Sequence, residues 1–546
     1  MDAFKLMQIW RKNVKDKTLA DEIDSLTQEE CLDCFYKELE FGTGGLRGKV
    51  GVGTNRLNIY TIAKISQGVA AYVLKNSVHK IAISYDSRIN SRIFAETASR
   101  VFASNGIVVV IVNDIMPTPF LSFITREYGC GAGIMITASH NPAEYNGYKV
   151  YDAAGCQVTD TVAQEISEYI RQGDYFNIPS KSFGKFCDDG MIQVCDETIV
   201  VNYLQGVKSI GDRIPINNIS VTYSPLNGAG YRLLPRLLTE LGIGNLKIVS
   251  AQIEPNGQFP TCRYPNPEKE EALAMGLIEA SKNESDLLLV TDPDADRIGV
   301  AVRDKSEYRH LSGNEVGILL TNYLLEYCKI KGTLPIHPIV LKTIVTSDMV
   351  YPICSDYNCK VVEVLTGFKY IGEQIEHLKN KKDFVLGFEE SCGYLIGTQV
   401  RDKDALVAAR FICEMTAYYK NLGVTLCDVL ELLYRKYGKY INILKTKKLE
   451  GEEGHSKINS FMSKIRNGKI HFFDGWRLTD YLVGETTLPR SNVAQFENKS
   501  GIKVIVRPSG TEPILKFYLS ACIKTEKDKN CFSRLEKQLE AIIQDI

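Results

Sequence analysis

The 546-residue sequence lacks the features that mark a secreted or membrane-spanning protein. No apolar run reaches the roughly 18 residues that a membrane span requires. The most apolar stretch, VFASNGIVVVIV, is interrupted by Ser104, Asn105 and Gly106. The N-terminal stretch MDAFKLMQIWRKNVKDK has no apolar core followed by a cleavage site, so it does not resemble a secretory signal. We therefore expect a cytoplasmic protein that does not contact a membrane.

The sequence also lacks an excess of charge and a disulfide framework. Lys and Arg total 65, and Asp and Glu total 66. A general nucleic-acid binder usually has an excess of basic residues, so we expect no nucleic-acid partner. The 15 cysteines are scattered along a long chain, whereas disulfide scaffolds are short and secreted. Cys31 and Cys34 form one C-x-x-C pair without a second pair or suitably spaced histidines. We predict two thiols one turn apart on an amphipathic helix.

Short β-branched runs alternate with longer amphipathic stretches over most of the chain. Examples are KIAISYDSR and NISVTYSPLNGAG, and each run ends in a polar loop. This alternation predicts an α/β architecture with largely parallel sheets, in which ligands gather at the carboxyl ends of the strands. The last hundred or so residues instead predict close strands and one terminal helix, and hence a smaller α+β domain. The charged stretch KTKKLEGEEGHSK, near the start of that domain, is predicted to be a mobile connection.

Three aspartates follow the apolar run DLLLV in the segment TDPDADR. Asp292, Asp294 and Asp296 alternate, so an extended segment would place their carboxylates on one side. Such carboxylates repel one another unless a cation lies among them, and oxygen ligands suit Mg²⁺. An EF-hand is excluded because Arg297 and Arg303 occupy its sixth and twelfth positions. An acidic surface turn is the alternative, and the apolar run before it disfavours that interpretation.

Ser139 and His140 follow the apolar run GIMIT, after Ala138, in the segment TASHNP. Neighbouring side chains in an extended loop point apart, which disfavours a hydrolase-type pair of serine and histidine, and the G-x-S-x-G elbow is absent. Phosphoryl transfer asks mainly for positioning and charge neutralisation. A serine that carries a phosphoryl group beside a metal needs no triad, although an ordinary turn before proline remains the alternative.

The segment RPSGTEP follows the strand-like run GIKVIV. Arg507 offers a fork of donors, Ser509 and Thr511 offer hydroxyls, and Gly510 lets backbone N–H groups approach an anion. Together they predict a phosphate nest. A polar hairpin turn fits the same residues equally well.

Two further segments carry weaker signals. FGTGGLRGKVGVG fails both the Walker and the dinucleotide patterns, which leaves a flexible loop that presents Arg47 and Lys49. In GFEESCGY and VRDKDAL, Glu389 and Ser391 could bind sugar hydroxyls and Lys403 could balance a phosphate. A solvated charged face is the alternative for these last residues.

Together, TASHNP, DPDADR, GFEES and RPSGTEP, with the N-terminal GTGGLRG, resemble the motifs of the α-D-phosphohexomutases. The resemblance extends over about residues 40 to 520. It implies three similar mixed α/β domains plus a smaller C-terminal α+β domain around a central cleft. The expected domains are 1–209 with the phosphoserine loop, 210–325 with the metal loop, 326–438 with the sugar-binding loop and 439–546 with the phosphate-binding loop.

The resemblance also assigns roles to individual residues. Ser139 matches the serine that is phosphorylated in the resting enzyme, and Lys149 is a better proton shuttle than Arg47 because an arginine stays protonated. Lys516 matches a further basic contact of some family members. The implied sets are Ser139, Arg47, Lys149 and His140 for catalysis; Ser139, Asp292, Asp294 and Asp296 for Mg²⁺; and Arg297, Thr366, Glu389, Ser391, Lys403, Arg507, Ser509, Gly510 and Thr511 for substrate.

The implied reaction passes a phosphoryl group from Ser139 to a hexose monophosphate and back from the other end of a bisphosphate. We expect a phosphoglucomutase, an isomerase with Mg²⁺ and glucose 1,6-bisphosphate as cofactors, a phosphorylated sugar as its partner, and a monomeric or homodimeric state. Phe388 stands where glycine is usual, and the following CGY resembles a branch with phosphopentomutases, so mannose and pentose stay open. A serine-based, metal-dependent phosphomonoesterase and a non-catalytic sugar-phosphate sensor are the rival classes. The C-terminal domain is expected to close the cleft and exclude water.

Overall fold

The computed structural model describes residues 2–42, 44–449, 451–470, 475–484, 486–509 and 514–546, without the side chains of 451–453. The chain forms two compact units. The first unit comprises Met1–Leu311, Gly372–Lys381 and Cys392–Tyr418, and the second comprises Ser312–Ile371, Lys382–Ser391 and Tyr419–Ile546. Within the described ranges, no helix combines the length and the apolarity that crossing a bilayer requires.

A six-stranded mixed sheet carries the serine segment in the first unit. Its central strand, Ala132–Ile136, is buried along its whole length, as expected for a strand covered on both faces. The neighbours Lys80–Tyr85 and Tyr145–Asp152 run parallel and antiparallel to it. The strand order is Gly45–Lys49, Tyr145–Asp152, Ala132–Ile136, Lys80–Tyr85, Val108–Ile111 and Ile192–Val194.

A second, five-stranded sheet carries the acidic segment in the same unit. Leu287–Thr291 and Ile298–Asp304 pair in antiparallel register, and residues 292–297 connect them, as the sequence predicts. The strand order is Glu307–Leu311, Ile298–Asp304, Leu287–Thr291, Ser220–Ser224 and Asn245–Ile248.

Helices surround these two sheets in the chain up to residue 311. Cys31 and Cys34 lie one turn apart on Gln28–Phe35, which confirms the predicted arrangement, and both pack in the apolar cluster around Trp10. Thr27 and Glu30 begin that helix with a reciprocal capping box. The helices are Ala3–Asn13, Lys17–Ser25, Gln28–Phe35, Ile59–Lys75, Ser91–Ser104, Thr118–Glu127, Asp160–Gln172, Phe183–Asp188, Glu197–Lys208, Gly230–Glu240, Ser250–Ile253 and Glu270–Lys282.

The second unit contains a parallel sheet. Ile339–Thr343 lies between Lys360–Val364 and Phe384–Glu389 and is parallel to both. Beyond residue 311 the chain also forms the short strand Gly393–Leu395. The helices up to residue 437 are Gly313–Lys331, Val350–Ser355, Phe368–His377, the 3₁₀ turn Lys381–Asp383, Ala405–Asn421 and Leu426–Tyr437.

The C-terminal part of the second unit is a five-stranded antiparallel sheet with two helices. Ile465 and Leu535, one on each helix, share an apolar core with Phe517 of the sheet. The strand order is Lys439–Lys448, Ile514–Ile523, Lys503–Pro508, Ala494–Glu497 and Arg477–Asp480, and the helices are Gly451–Arg466 and Glu526–Gln544.

The three α/β sheets and the smaller antiparallel α+β part confirm the predicted fold class. The prediction of a mobile connection at KTKKLEGEEGHSK is wrong, because its first four residues belong to the strand Lys439–Lys448 and residues 451–457 to the helix Gly451–Arg466. That strand lies at one end of the described sheet order, and lysines are common on edge strands because they discourage pairing with another chain.

Candidate active site

Ser139 lies at the carboxyl end of the central strand and is almost fully buried, with 1% of its surface exposed. Its backbone has a φ of 53°, a left-handed conformation that residues with a Cβ rarely adopt. Its hydroxyl donates a hydrogen bond to Asp292 Oδ2 at 2.9 Å and lies 3.2 Å from Nδ1 of His140. The prediction that the two neighbouring side chains point apart is therefore wrong, because it assumed an extended backbone.

The three aspartates form one buried cluster. One oxygen from each of Asp292, Asp294 and Asp296 lies within 4.8 Å of the others. The segment is a tight turn and not the predicted extended strand, since Ala295 has a φ of 47° and Asp292 Oδ1 accepts hydrogen bonds from the backbone N–H groups of Asp296 and Arg297. The carboxylates converge because the turn wraps around Asp292.

Burial and mutual repulsion set the ionisation of this cluster. Burial raises the pKa of Asp292 well above its usual range, and the charges of Asp294 and Asp296 raise it further. Burial acts in the same direction on Asp294, but the ammonium of Lys149 and the hydroxyl of Thr118 outweigh it and lower the pKa of Asp294. The cluster is thus short of positive charge at Asp292, the carboxylate that faces the serine.

The donor set fits a hard divalent cation. Asp294 Oδ1 is buried, and no described group donates a hydrogen bond to it. A buried carboxylate oxygen without a donor is costly unless a cation takes the donor's place. Three carboxylates with no nitrogen or sulfur in the set suit Mg²⁺ better than a transition metal.

Two lysines reach the cluster from other segments. Lys149 Nζ lies 3.0 Å from Asp294 Oδ2 and 3.8 Å from Asp296 Oδ2. Lys403 Nζ lies 2.8 Å from Asp296 Oδ2. The structure therefore brings Lys403 to the acidic cluster, together with Ser139 and Lys149.

Arg47 contacts the serine segment from the edge of the sheet. The predicted flexible loop is wrong at this point, because Gly45–Lys49 is a strand paired with Tyr145–Asp152, in which Arg47 lies opposite Gly147. Arg47 Nη1 donates a hydrogen bond to Asn141 Oδ1 at 3.0 Å. A strand fixes the guanidinium more firmly than a glycine-rich loop would. Arg297, at the end of the acidic turn, pairs with Glu268 at 3.1 Å.

The predicted sugar-binding residues Thr366, Glu389 and Ser391 lie in the second unit. The backbone N–H of Gly367 donates a hydrogen bond to Glu389 Oε1 at 3.1 Å, which fixes that carboxylate beside Thr366. The Thr366 hydroxyl is buried, and no described group forms a hydrogen bond with it. The structure thus brings the Glu389 carboxylate and the buried Thr366 hydroxyl to one place.

Phe388, next to Glu389, is a core residue. It is fully buried, and a Cβ placed on Gly317 would lie 2.1 Å from its ring. Gly317 thus provides the space that the Phe388 ring fills. Phe388, which stands where glycine is usual, therefore packs against the helix Gly313–Lys331.

The predicted distal phosphate residues lie on the antiparallel sheet of the second unit. Arg507 is near the end of Lys503–Pro508 and faces Lys516 across the strand pair, so two basic side chains occupy neighbouring positions. The backbone N–H of Ser509 donates a hydrogen bond to the carbonyl of Ile514. Gly510 and Thr511 lie outside the described residues.

Sequence reasoning missed several groups that support the site. Thr118 donates a hydrogen bond from its hydroxyl to Asp294 Oδ2 at 2.7 Å, across 176 positions. Tyr151 donates to Asp402 Oδ2 at 2.7 Å and so fixes the segment that carries Lys403. The run PTP, in which Thr118 is the middle residue, marks a helix start, but nothing local to it indicates a carboxylate partner so far along the chain.

The sequence matches three family descriptions in succession. These are phosphoglucomutase/phosphomannomutase, alpha/beta/alpha domains I, II and III, over residues 38–176, 201–305 and 312–437. The chain is similar to the phosphoglucomutase of Staphylococcus saprophyticus, with 36% identity over 535 residues that cover 94% of this chain and 96% of the relative. It is 34% identical to the phosphoglucomutase of Staphylococcus aureus strain MRSA252 over 531 residues, which cover 94% and 95%.

Solved structures show the same fold at lower identity. Parafusin (phosphoglucomutase) of Paramecium in its open form superposes with a TM-score of 0.69 at 18% identity, over 93% of this chain and 96% of that one. A phosphoglucomutase/phosphomannomutase family protein of Burkholderia thailandensis gives 0.68 at 17% identity, over 92% and 97%. The chain therefore belongs to the phosphoglucomutase/phosphomannomutase family of α-D-phosphohexomutases and is an isomerase of the intramolecular phosphotransferase class.

Proposed function

We propose that the protein is a phosphoglucomutase that interconverts glucose 1-phosphate and glucose 6-phosphate through phosphorylated Ser139 and glucose 1,6-bisphosphate. The observation that carries the proposal is the hydrogen bond of 2.9 Å from the Ser139 hydroxyl to Asp292, inside a cluster of three buried carboxylates. Relatives named phosphoglucomutase, 34–36% identical over most of the chain, support glucose as the sugar.

The residues of the cluster fit the cofactor that the family resemblance implies. Asp292, Asp294 and Asp296, with an oxygen on Ser139, would hold Mg²⁺, which supplies charge neutralisation for phosphoryl transfer when bound. Burial excludes water from the serine, and this exclusion protects a seryl phosphate from hydrolysis.

The transfer step balances with groups of the chain. The bond between phosphorus and the Ser139 oxygen breaks as a bond from phosphorus to a sugar hydroxyl forms, and the hydroxyl gives up its proton. We assign that proton to Lys149 in its neutral amine form, which accepts the proton after the ammonium has given up its own, whereas the guanidinium of Arg47 stays protonated and can act only as a fixed charge. In the return step the other phosphate of glucose 1,6-bisphosphate passes to Ser139.

The remaining assignments are proposals of the same kind. We assign the sugar hydroxyls and phosphates to residues of the sugar and distal loops, and the four domains to 1–209, 210–325, 326–438 and 439–546. We also propose a cytoplasmic location, which the unpaired buried thiols of Cys31 and Cys34 support. The assigned substrate residues are Arg297, Thr366, Glu389, Ser391, Lys403, Arg507, Ser509, Gly510 and Thr511.

A coupled assay tests the proposal. Glucose 1-phosphate, Mg²⁺ and a trace of glucose 1,6-bisphosphate should yield glucose 6-phosphate, with a higher kcat/KM than mannose 1-phosphate or ribose 1-phosphate. Ser139→Ala should abolish turnover, whereas Ser99→Ala, which removes another buried hydroxyl, should not. Inorganic phosphate as the main product would identify a phosphomonoesterase and overturn the proposal.

A further inference from the structure

Side chains hold both polar groups of the Ser139 backbone. The Ser139 N–H donates a hydrogen bond to Thr137 Oγ1 at 2.8 Å. The Ser139 carbonyl accepts one from Arg88 Nη2 at 2.6 Å. All three residues are buried, with at most 3% of their surface exposed, so water does not compete for either hydrogen bond. The peptide that carries the reactive hydroxyl is thus fixed from both ends.

Arg88 holds the whole serine segment, residues 139–145, and not one carbonyl alone. Its Nη1 donates hydrogen bonds to the carbonyls of Pro142 and Tyr145, each at 2.8 Å. Its Nη2 donates to the carbonyl of Asn141 in addition to that of Ser139. A guanidinium has five N–H donors in a rigid fork, and four carbonyls of one loop converge on it here. The segment is therefore wrapped around a single side chain.

Asp86 contacts both residues that bind the Ser139 backbone, Thr137 and Arg88. One of its oxygens accepts a hydrogen bond from the Thr137 hydroxyl at 2.5 Å, and that same oxygen lies 3.5 Å from Arg88 Nε. The other oxygen accepts hydrogen bonds from the Arg88 backbone N–H at 3.0 Å and from the Ser91 hydroxyl at 2.8 Å. A buried charge is tolerated only when it is paired and hydrogen-bonded, and Asp86 and Arg88 meet both conditions. Burial lowers the pKa of Arg88 to about 10, which leaves it a cation at neutral pH.

This arrangement accounts for the strained backbone at the serine. A φ of 53° at a residue with a Cβ persists only where the surroundings over-determine it. The contacts of Arg88 and Thr137 on either side of Ser139 supply that constraint. The same conformation directs the Ser139 hydroxyl to Asp292.

We propose that Arg88 and Asp86 are positioning residues, which hold the Ser139 peptide in its left-handed conformation and so keep the reactive oxygen at the acidic cluster. Neither residue touches the cluster through a hydrogen bond or ion pair among the contacts described for them. The charges of Arg88 and Asp86 also interact with that of Asp294 at longer range. Arg88→Lys keeps the positive charge, so a change of kcat in that variant reports on the position of Ser139. This inference rests on the proposed function, since it assigns Ser139 as the phosphoryl carrier.

Arg88→Lys is the direct test. A lysine keeps the charge but cannot reach four carbonyls with a planar fork, so the serine should lose its fixed position. We expect kcat to fall about 100-fold with little change in KM, because misplacement of a reacting group costs rate and not ground-state binding. The fraction of Ser139 that becomes phosphorylated by glucose 1,6-bisphosphate in a fixed short time, read by intact mass, should fall with kcat.

Arg410→Lys is the matched control. Arg410 is also fully buried in the first unit, donates to the carbonyl of Val207 and pairs with Glu414. Its replacement should lower the melting temperature but keep the wild-type kcat. If Arg88→Lys keeps the wild-type kcat, or if both variants lose kcat in the same proportion, the positioning role is overturned.

A second pair of variants covers the case in which Arg88→Lys does not fold. Thr137→Val removes the hydroxyl that joins Asp86 to the Ser139 N–H at nearly constant shape, and Thr137→Ser retains it. We expect kcat to fall for the valine and to recover for the serine variant, and an unchanged kcat for valine would overturn the inference.

Amide hydrogen exchange separates this inference from the proposed function. Arg88→Lys should speed exchange in residues 138–145, and Arg410→Lys should not. If the wild-type protein shows no mutase turnover, the proposed function fails, and this exchange result still decides whether Arg88 fixes the segment. Unchanged exchange in Arg88→Lys would overturn the positioning role whatever the enzyme's activity.

Discussion

The Ser139 hydroxyl and the Asp292 carboxylate are hydrogen-bonded at 2.9 Å although 153 positions separate them. Each follows the end of a buried strand in a different sheet of the first unit. The pair places the Ser139 hydroxyl oxygen beside the carboxylate whose pKa is raised by burial and by its acidic neighbours. A cation at this point would stabilise both the ionised carboxylate and a phosphoryl group on the serine.

Asp292→Asn should weaken the binding of Mg²⁺. An amide removes one of the three carboxylates from the buried cluster. We expect the Kd for Mg²⁺, measured by isothermal titration calorimetry, to rise at least about tenfold, because loss of a direct ligand should weaken metal binding by no less than that. Asp196→Asn is the control, because Asp196 caps a helix, where asparagine serves equally well. Equal Kd values for Asp292→Asn and the wild type would show that the cluster is not the metal site.

Lys149→Met should lower kcat by about two to four orders of magnitude, the usual contribution of a general acid or base. Lys149→Arg keeps a cation near Asp294 but cannot release a proton, so it should stay almost as slow. Steady-state kinetics on both variants make the measurement. Lys64→Met, which removes a buried lysine paired with Glu38, controls for loss of a buried ammonium. Recovery of kcat in the arginine variant would limit Lys149 to an electrostatic role.

Gly317→Ala should destabilise the protein by about 1–3 kcal/mol, because the added Cβ would meet the Phe388 ring at 2.1 Å. Phe388→Leu in the same chain should recover part of that loss. A double-mutant cycle on the free energy of unfolding in urea measures the coupling. Additive effects of the two substitutions would contradict the packing role assigned to Phe388.

Glu414 should make stability fall as the pH rises. Burial raises its pKa from 4.5 to about 7, against the opposing effect of Arg410. The folded state therefore holds the proton more tightly than the unfolded state, so the contribution to stability is complete below pH 4.5 and is lost as the pH rises to about 7. The loss amounts to about 3 kcal/mol over that window.

Glu414→Gln isolates this effect, because glutamine can still accept the hydrogen bond that Arg410 donates at 3.0 Å. The difference in melting temperature between wild type and variant should change between pH 5 and pH 8, in favour of the variant at the higher pH. A difference that stays constant over this range would rule out the raised pKa.

The sequence predicts those parts of the site in which the residue types and the neighbouring residues in the chain both indicate the function. Ser139 and the three aspartates follow apolar strands in short motifs, so their residue types and positions suffice to single them out. The backbone geometry of these two segments does not follow from the same motifs. Ser139 and Ala295 have left-handed backbone conformations, which shape the turns of the serine segment and the acidic segment. Neither residue is a glycine, so the sequence does not indicate this conformation.

The residues that escaped prediction act over long distances in the chain. Thr118 meets Asp294 across 176 positions, and Arg88 meets Ser139 across 51. No local pattern distinguishes such a threonine or arginine from one on a solvated surface. The prediction of a loop at Arg47 is wrong for a different reason. Its glycine-rich surroundings favour a loop, whereas pairing with Tyr145–Asp152 makes Gly45–Lys49 a strand.

The central claim is that Ser139 passes a phosphoryl group to the sugar and does not lose it to water. The most direct measurement mixes enzyme phosphorylated on Ser139 with glucose 1-phosphate in a single turnover and follows the enzyme-borne, isotopically labelled phosphoryl group by mass spectrometry. We predict that the label appears in glucose 1,6-bisphosphate and then in glucose 6-phosphate or on the serine again. Label released as inorganic phosphate, or retained on Ser139 while glucose 6-phosphate forms, would contradict the account.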